Sequence, residues 1–360
     1  MKEKKIALAG LVAGALLLPA VGKAQGAGTF PSFIPFSLAQ LEFPEGVAVD
    51  KVGNVYVSIR QSPFGPLPLS DQIWKFSPSG AKTILADFGP PGGGGCGLAV
   101  DAEGNVYMAR TGAAAPYNGV YRVDAQGNIA LIPGTQNIVF PDGLAFDKQG
   151  NLYITEVFSF GPYGFAQGGI WRVPKGGGTA ELWLRHDLLT GLAPTLFPFP
   201  VGANGIAFYL GNLYVINTDK ALVVRVPVLP DGSPGQPELW KQVQDVPESL
   251  FYQSPAFPLM LDGLALDVHG NVYIAVPSRL AVVCINAADR SQKTSAVFQF
   301  GPDAVPLDGP FSLAFGSAMG ERQNLFVTSS GLVGALVPGL PWPGPGLVKL
   351  SVGIPGLPLP

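Results

Sequence analysis

The sequence predicts an all-β fold, a six-bladed β-propeller of four-stranded antiparallel blades closed by an N-terminal strand in the last blade. Three observations predict it. One motif recurs six times at a spacing of about 53 residues, a period that marks ring or solenoid architectures. Each copy reads as two apolar runs joined by a short polar turn, followed by two more short alternating runs. The last copy runs out of chain before a fourth strand can be written, while an unassigned apolar segment stands before the first copy.

The copies begin at Glu45-Gly46-Val47-Ala48-Val49-Asp50, Cys96-Gly97-Leu98-Ala99-Val100-Asp101 and Asp142-Gly143-Leu144-Ala145-Phe146-Asp147. They continue at Asn204-Gly205-Ile206-Ala207-Phe208, Asp262-Gly263-Leu264-Ala265-Leu266-Asp267 and a worn Phe311-Ser312-Leu313-Ala314-Phe315. The repeated Ala suits the crowded centre where blades converge. Four copies then carry Asp-x-x-Gly-Asn, at Asp50 to Asn54, Asp101 to Asn105, Asp147 to Asn151 and Asp267 to Asn271. There the Asp side chain can cap the turn and the Gly can take the left-handed conformation. A second apolar run ends each hairpin, with Tyr in five copies and Phe326 in the sixth.

The third strands alternate and turn one charged residue outward in most copies, as in Ile73-Trp74-Lys75-Phe76 and Ile170-Trp171-Arg172-Val173. Fourth strands follow, such as Lys82 to Leu85 and Ala180 to Trp183. After Leu347 to Val352 the chain is too rich in Pro for an inner strand. The segment Phe33 to Leu41 is therefore expected to supply the missing outer strand of blade six, which joins both chain ends and hides sheet edges. Residues 25–360 are read as one domain.

The first 24 residues read as a secretory signal: Lys2, Lys4 and Lys5, then the apolar stretch Ile6 to Val21, then Gly22-Lys23-Ala24. The expected location is periplasmic or secreted, without a stable membrane anchor and as a monomer. The full chain carries a net charge of −3; without the leader, 18 cationic and 24 acidic side chains leave −6. A mildly acidic surface excludes nucleic acid and anionic membrane as expected partners. Cys96 and Cys284 fall in blades two and five, on opposite sides of a six-fold ring, too far apart for a disulfide.

The residue before each Gly should ring one mouth of the central channel: Glu45, Cys96, Asp142, Asn204, Asp262 and Phe311. Three carboxylates and an amide crowded into a low-dielectric channel repel unless they are protonated or neutralised. A divalent cation held by Glu45, Asp142, Asn204 and Asp262 is the simple remedy, and an oxygen-only donor set favours Ca²⁺ over Zn²⁺. Asp-Gly and Asn-Gly are also common turn pairs, so the same residues are open to a purely architectural reading. Cys96 and Phe311 read as channel packing.

With these residues in place, the chain resembles the senescence-marker-protein/gluconolactonase family of six-bladed propellers, and more distantly the NHL-type repeats. Glu45 matches that family's first-blade Glu, Asn204 its fourth-blade Asn-Gly and Asp262 its fifth-blade Asp-Gly. The resemblance implies one catalytic divalent metal and hydrolysis of a lactone or ester, with Asp262 as general base or nucleophile. The chain departs at Pro141-Asp142-Gly143, where the family's third-blade ligand is an Asn at the position held here by Pro141. Resemblance to NHL repeats implies the alternative, a non-catalytic propeller that binds a protein or polymer.

Connections expected at the same mouth are apolar. Val157 to Gly168 carries Phe158, Phe160, Tyr163 and Phe165; others carry Phe197, Phe199, Phe251, Tyr252, Phe257 and Trp342. Such a rim suits a partly apolar small-molecule substrate or a hydrophobic partner, or a cap of loops packed on one another. Arg60, Arg110, Glu156 and Asn217 end second strands and are further candidates for the mouth. Gly92 to Gly97 formally matches a nucleotide fingerprint but precedes a strand, so it reads as a loop. His186 and His269 read as surface residues, which leaves little material for a Ser-His-acid triad.

Overall fold

The computed structural model describes residues 30–60, 70–90, 93–111, 117–162, 164–192, 199–244, 246, 258–297, 305–331, 334–335 and 342–358. The leader and the aromatic residues Tyr163, Phe197, Phe251, Tyr252 and Phe257 lie outside the described residues. Six four-stranded antiparallel sheets follow one another along the chain. Their inner strands are Phe43–Val49, Gly95–Val100, Pro141–Phe146, Ala203–Tyr209, Leu264–Leu266 and Pro310–Phe315. The sixth sheet is completed by Phe33–Pro35, which pairs with Gly346–Ser351 through Phe33↔Val348, Ile34↔Leu347 and Pro35↔Gly346. The closing strand is thus a three-residue core of the expected segment. Among the described residues no helix is long and apolar enough to cross a membrane.

The Asp-x-x-Gly-Asn signature folds as a capped hairpin. In blade one, Asp50 Oδ1 accepts from the backbone N–H groups of Val52 and Asn54 at 3.0 and 2.8 Å, and Oδ2 accepts from Asn54 Nδ2 and the Tyr56 hydroxyl at 2.6 and 3.0 Å. Asp101, Asp147 and Asp267 repeat the pattern, each with its own Asn and Tyr. The recurrent Tyr is therefore a buried partner of the turn carboxylate as well as core packing. Blade four has no such Asp and turns instead on Leu210 and Gly211, both at positive φ.

The motif glycines do a different job from the one their turn-forming pairs suggest. Asp142-Gly143 and Asn204-Gly205 lie inside strands, at a two-residue irregularity between Pro141 and Leu144 and between Ala203 and Ile206. A β-carbon on Gly143 would sit 2.5 Å from the Asn204 carbonyl oxygen. Gly97 and Gly205 meet the carbonyls of Asp142 and Asp262 at 2.6 Å, Gly263 meets that of Phe311 at 2.8 Å, and Gly46 abuts that of Cys96. Each glycine thus permits the next blade's inner strand to approach. Hydroxyls stitch the same joint. Gly143 N–H donates to Thr155 Oγ1 (2.8 Å), which donates to the Asn204 carbonyl (2.7 Å). Ser58 links Gly46 to Cys96, and Thr328 links Ser312 to Glu45, closing blade six onto blade one.

Below this joint the channel is apolar. A cavity of about 220 Å³ is lined by residues such as Val49, Leu98, Ile206 and Leu266. Leu357 joins that lining; its N–H donates to the Leu266 carbonyl at 3.2 Å, so the C-terminal tail crosses the far end of the channel.

Two substitutions test the joint. Gly143→Ala should destabilise the fold by about 1–3 kcal/mol through forced overpacking. Thr155→Val, nearly the same shape, should cost about 1–3 kcal/mol by leaving the Gly143 N–H buried without a partner. Equilibrium urea denaturation reads both.

Candidate functional site

The joint places the six mouth residues together: Cys96, Asp142, Asn204, Asp262 and Phe311 each contribute the carbonyl against which the preceding blade's glycine packs, and the Glu45 carbonyl is held by Thr328 beside Ser312. The structure brings three of them into direct proximity. Single ligand atoms of Glu45, Cys96 and Asp142 all lie within 4.8 Å of one another, and all three residues are buried. Asp262 joins them electrostatically. Burial first, then the charges of Asp142 and Glu45, push its carboxyl well above the usual carboxylate range. Asn204 is also buried; its Nδ2 donates to Thr218 Oγ1 at 3.1 Å, which directs Oδ1 away from that partner.

The ring contains its own cation. Arg60 Nη2 forms an ion pair with Glu45 Oε2 and donates to Cys96 Sγ at 3.1 Å. Burial disfavours the guanidinium charge, but Glu45, Cys96 and Asp142 outweigh it and hold Arg60 more firmly protonated. The reverse balance holds for the acids. Burial raises Glu45 despite Arg60. Burial and then Glu45 push Asp142 well up, with Arg60 opposing. Burial and Glu45 also push up the Cys96 thiol. Among the described residues three acids face one guanidinium, so two of them lack a fixed counter-charge and are driven toward the protonated form.

Of the four strand-end candidates, Arg60 alone meets the ring residues, and strand parity explains why. Arg60 lies four residues after Tyr56, on the forward face with Ser58, towards blade two. Arg110, Glu156 and Asn217 lie three residues after their Tyr and face back. Arg110 Nε donates to Asp71 Oδ2 at 2.8 Å, and Glu156 Oε2 accepts from Arg185 Nη2 at 2.6 Å. Asn217 Nδ2 donates to the Leu188 and Thr190 carbonyls, both at 2.9 Å. The expectation that these three reach the mouth is corrected accordingly. Cys96 packs in a core cluster with Ala99, Ala109 and Ile138, as read from sequence, and its sulfur is also one of the three clustered ligand atoms. The parity of Arg60 was available in the sequence; nothing there distinguished Cys96 from a small core residue.

Other readings resolve simply. Gly93 and Gly94 donate their N–H groups to Asp71 Oδ2 at 2.9 and 3.2 Å, so that glycine-rich loop caps a carboxylate of the protein itself. Cys96 and Cys284 are both free thiols. His269 is exposed in its turn, and His186 is half-buried, with Nδ1 accepting from Leu188 N–H at 3.2 Å.

An aromatic cluster begins at Phe140, two residues before Asp142. Phe140, Phe158 and Phe199 pack mutually at centroid distances of 5.3–5.7 Å. A small hairpin, Ser159–Gly161 with Gly164–Ala166, adds Phe160 and Phe165, stacked at 5.6 Å and 65% and 44% exposed. The rim therefore both packs on itself and presents apolar rings to solvent.

The architecture defines the class: a six-bladed propeller, a fold shared with gluconolactonase/regucalcin proteins among its structural neighbours. Regucalcin from Agrobacterium tumefaciens, a calcium-binding protein, superposes with TM-score 0.61 and 18% identity over 92% of this chain and 97% of its own. A gluconolactonase from Xanthomonas campestris gives 0.55 and 17% over 88% and 87%. A luciferin-regenerating enzyme gives 0.58 and 15% over 91% and 98%. No protein-family profile matches the sequence. No curated protein matches it either.

A carboxyl kept protonated only by the fold takes up protons on folding. Its contribution to stability is full below about pH 4 and is lost as pH rises through the raised values of Asp142 and Asp262. In chelator-treated protein the thermal midpoint of the wild type should therefore fall, relative to an Asp142→Asn/Asp262→Asn double variant, as pH rises above about 4. Scanning calorimetry across that range measures the difference.

Proposed function

We propose that the protein is an exported hydrolase of a lactone or ester, acting at the ring through a divalent cation. One observation carries this reading: after Arg60 is counted, the ring holds two further buried acids, Asp142 and Asp262, with no compensating cation among the described residues, a donor set that one hard divalent ion satisfies by displacing their protons. Glu45, Asp142, Asn204 and Asp262 would hold the ion, Ca²⁺ being the first expectation. When bound, it would polarise the substrate carbonyl and lower the pKa of a water molecule.

The remaining work falls to the chain. Asp262, whose proton affinity is already raised, accepts the proton of the attacking water. Arg60 keeps Glu45 oriented and limits the repulsion among the acids. Phe160 and Phe165 receive the apolar part of the substrate and draw it from water. The fold likeness to a gluconolactonase and to a calcium-binding regucalcin supports this reading at the level of architecture. The sequence features of the leader support a periplasmic or secreted location. A second reading, a non-catalytic propeller that docks a protein or polymer, is favoured specifically by the exposure of Phe160 and Phe165.

Asp262→Asn should lower turnover of a lactone and aryl-ester panel by at least ~100-fold while leaving the circular dichroism spectrum unchanged. Retained turnover in that variant removes the proposed mechanism. Phe160→Ala/Phe165→Ala should raise KM for aryl esters by about tenfold with kcat little changed, as expected for uniform binding of an apolar group. Loss of binding to a partner without any hydrolysis in either protein favours the second reading.

A further inference from the structure

The oxygen-only donor set overlooks a sulfur. Cys96 Sγ stands in the same 4.8 Å cluster as a Glu45 oxygen and an Asp142 oxygen. Ligands about 2.0–2.3 Å from a tetrahedral ion stand about 3.3–3.8 Å apart, so the cluster, whose atoms lie within 4.8 Å of one another, has to draw in by up to about 1 Å to close on an ion. Asp142 supplies an independent sign of a missing partner. It is only 7% exposed, and among the described residues its carboxylate receives no hydrogen bond, yet it is aimed at Glu45 and Cys96. Cys96 itself is fully buried, is not in a disulfide, and its sulfur accepts from Arg60 Nη2. Arg60 favours the thiolate, but burial and the Glu45 charge outweigh it and raise the thiol, so a bound ion has to displace the thiol proton.

We infer that the ring selects a thiophilic divalent ion of the zinc or cobalt kind over calcium, with Cys96, Glu45 and Asp142 as its ligands. This rests on the metal-centred reading of the ring and narrows it. Calcium takes six to eight oxygens, whereas zinc and cobalt accept sulfur together with oxygen. Three protein ligands are also the number that leaves a fourth position open for water or substrate, as in catalytic zinc sites. Asp262 then stays free of the ion as the proton acceptor.

Chelator-treated protein titrated with Co²⁺ tests this directly. One equivalent should produce a thiolate-to-cobalt charge-transfer band in the near ultraviolet. Cys96→Ser should abolish the band and weaken Co²⁺ and Zn²⁺ binding by about 10–100-fold, while Ca²⁺ binding stays within about twofold. Cys284→Ser should keep the band. If Cys96→Ser fails to fold, X-ray absorption on the zinc-loaded wild type reads the same point, with a sulfur expected at about 2.3 Å. Co²⁺ bound without the band, zinc without a sulfur neighbour, or calcium bound more tightly than zinc overturns the inference. Calcium-supported hydrolysis without the band would leave the proposed function standing, and a band without hydrolysis would do the reverse.

Discussion

At the centre of the ring, the carbonyl oxygens of five mouth residues occupy the space where the preceding blade's glycine would carry a β-carbon, as at Gly143 and the Asn204 carbonyl, and at the sixth joint Thr328 donates to the Glu45 carbonyl beside Ser312. Six inner strands can converge on one axis only at that spacing. The residue before each glycine is then held at the mouth with no freedom to withdraw, because its own carbonyl is the packing surface and, in blades one, two and four, accepts a hydroxyl from the neighbouring blade. Architecture therefore forces Glu45, Asp142 and Asp262 into one another's fields. Neither side-chain entropy nor solvent can relieve the repulsion in so confined a space.

Arg60 is the fold's partial answer. One guanidinium meets three carboxylates and a thiol, and its position follows from strand register alone. A shift of a single residue would turn it to the opposite face, where Arg110 pairs with Asp71 in a fully buried joint between blades one and two. The two arginines thus show the same residue type used once to hold blades together and once to set the charge of the mouth. Burial first, and then the remaining imbalance, raise the proton affinity of Asp142 and Asp262.

Much of the fold was legible in the sequence, since period, turn chemistry and the missing last strand each constrain topology independently. The Asp-x-x-Gly-Asn hairpins and the closure by Phe33–Pro35 follow from local rules of capping and strand pairing. The site was legible only in outline. Which residues stand at the mouth follows from the repeat, but which atoms touch depends on blade-to-blade distance, a tertiary quantity. Asp142-Gly143 looked equally like a turn because the sequence records the pair and not the close approach of Asn204. Cys96 looked like packing because a small apolar side chain and a sulfur ligand are the same letter. The parity separating Arg60 from Arg110, Glu156 and Asn217 was written in the spacing from each Tyr.

Calorimetric titration of the chelator-treated protein with Zn²⁺, repeated in two buffers of different ionisation enthalpy near pH 6, counts ions and displaced protons together. One ion per chain, bound with release of protons that disappears in an Asp142→Asn/Asp262→Asn double variant, is the result expected if a cation completes the ring. Absence of binding, or binding with the same proton count in the double variant, would mean that Arg60 and protonation alone hold these carboxylates together.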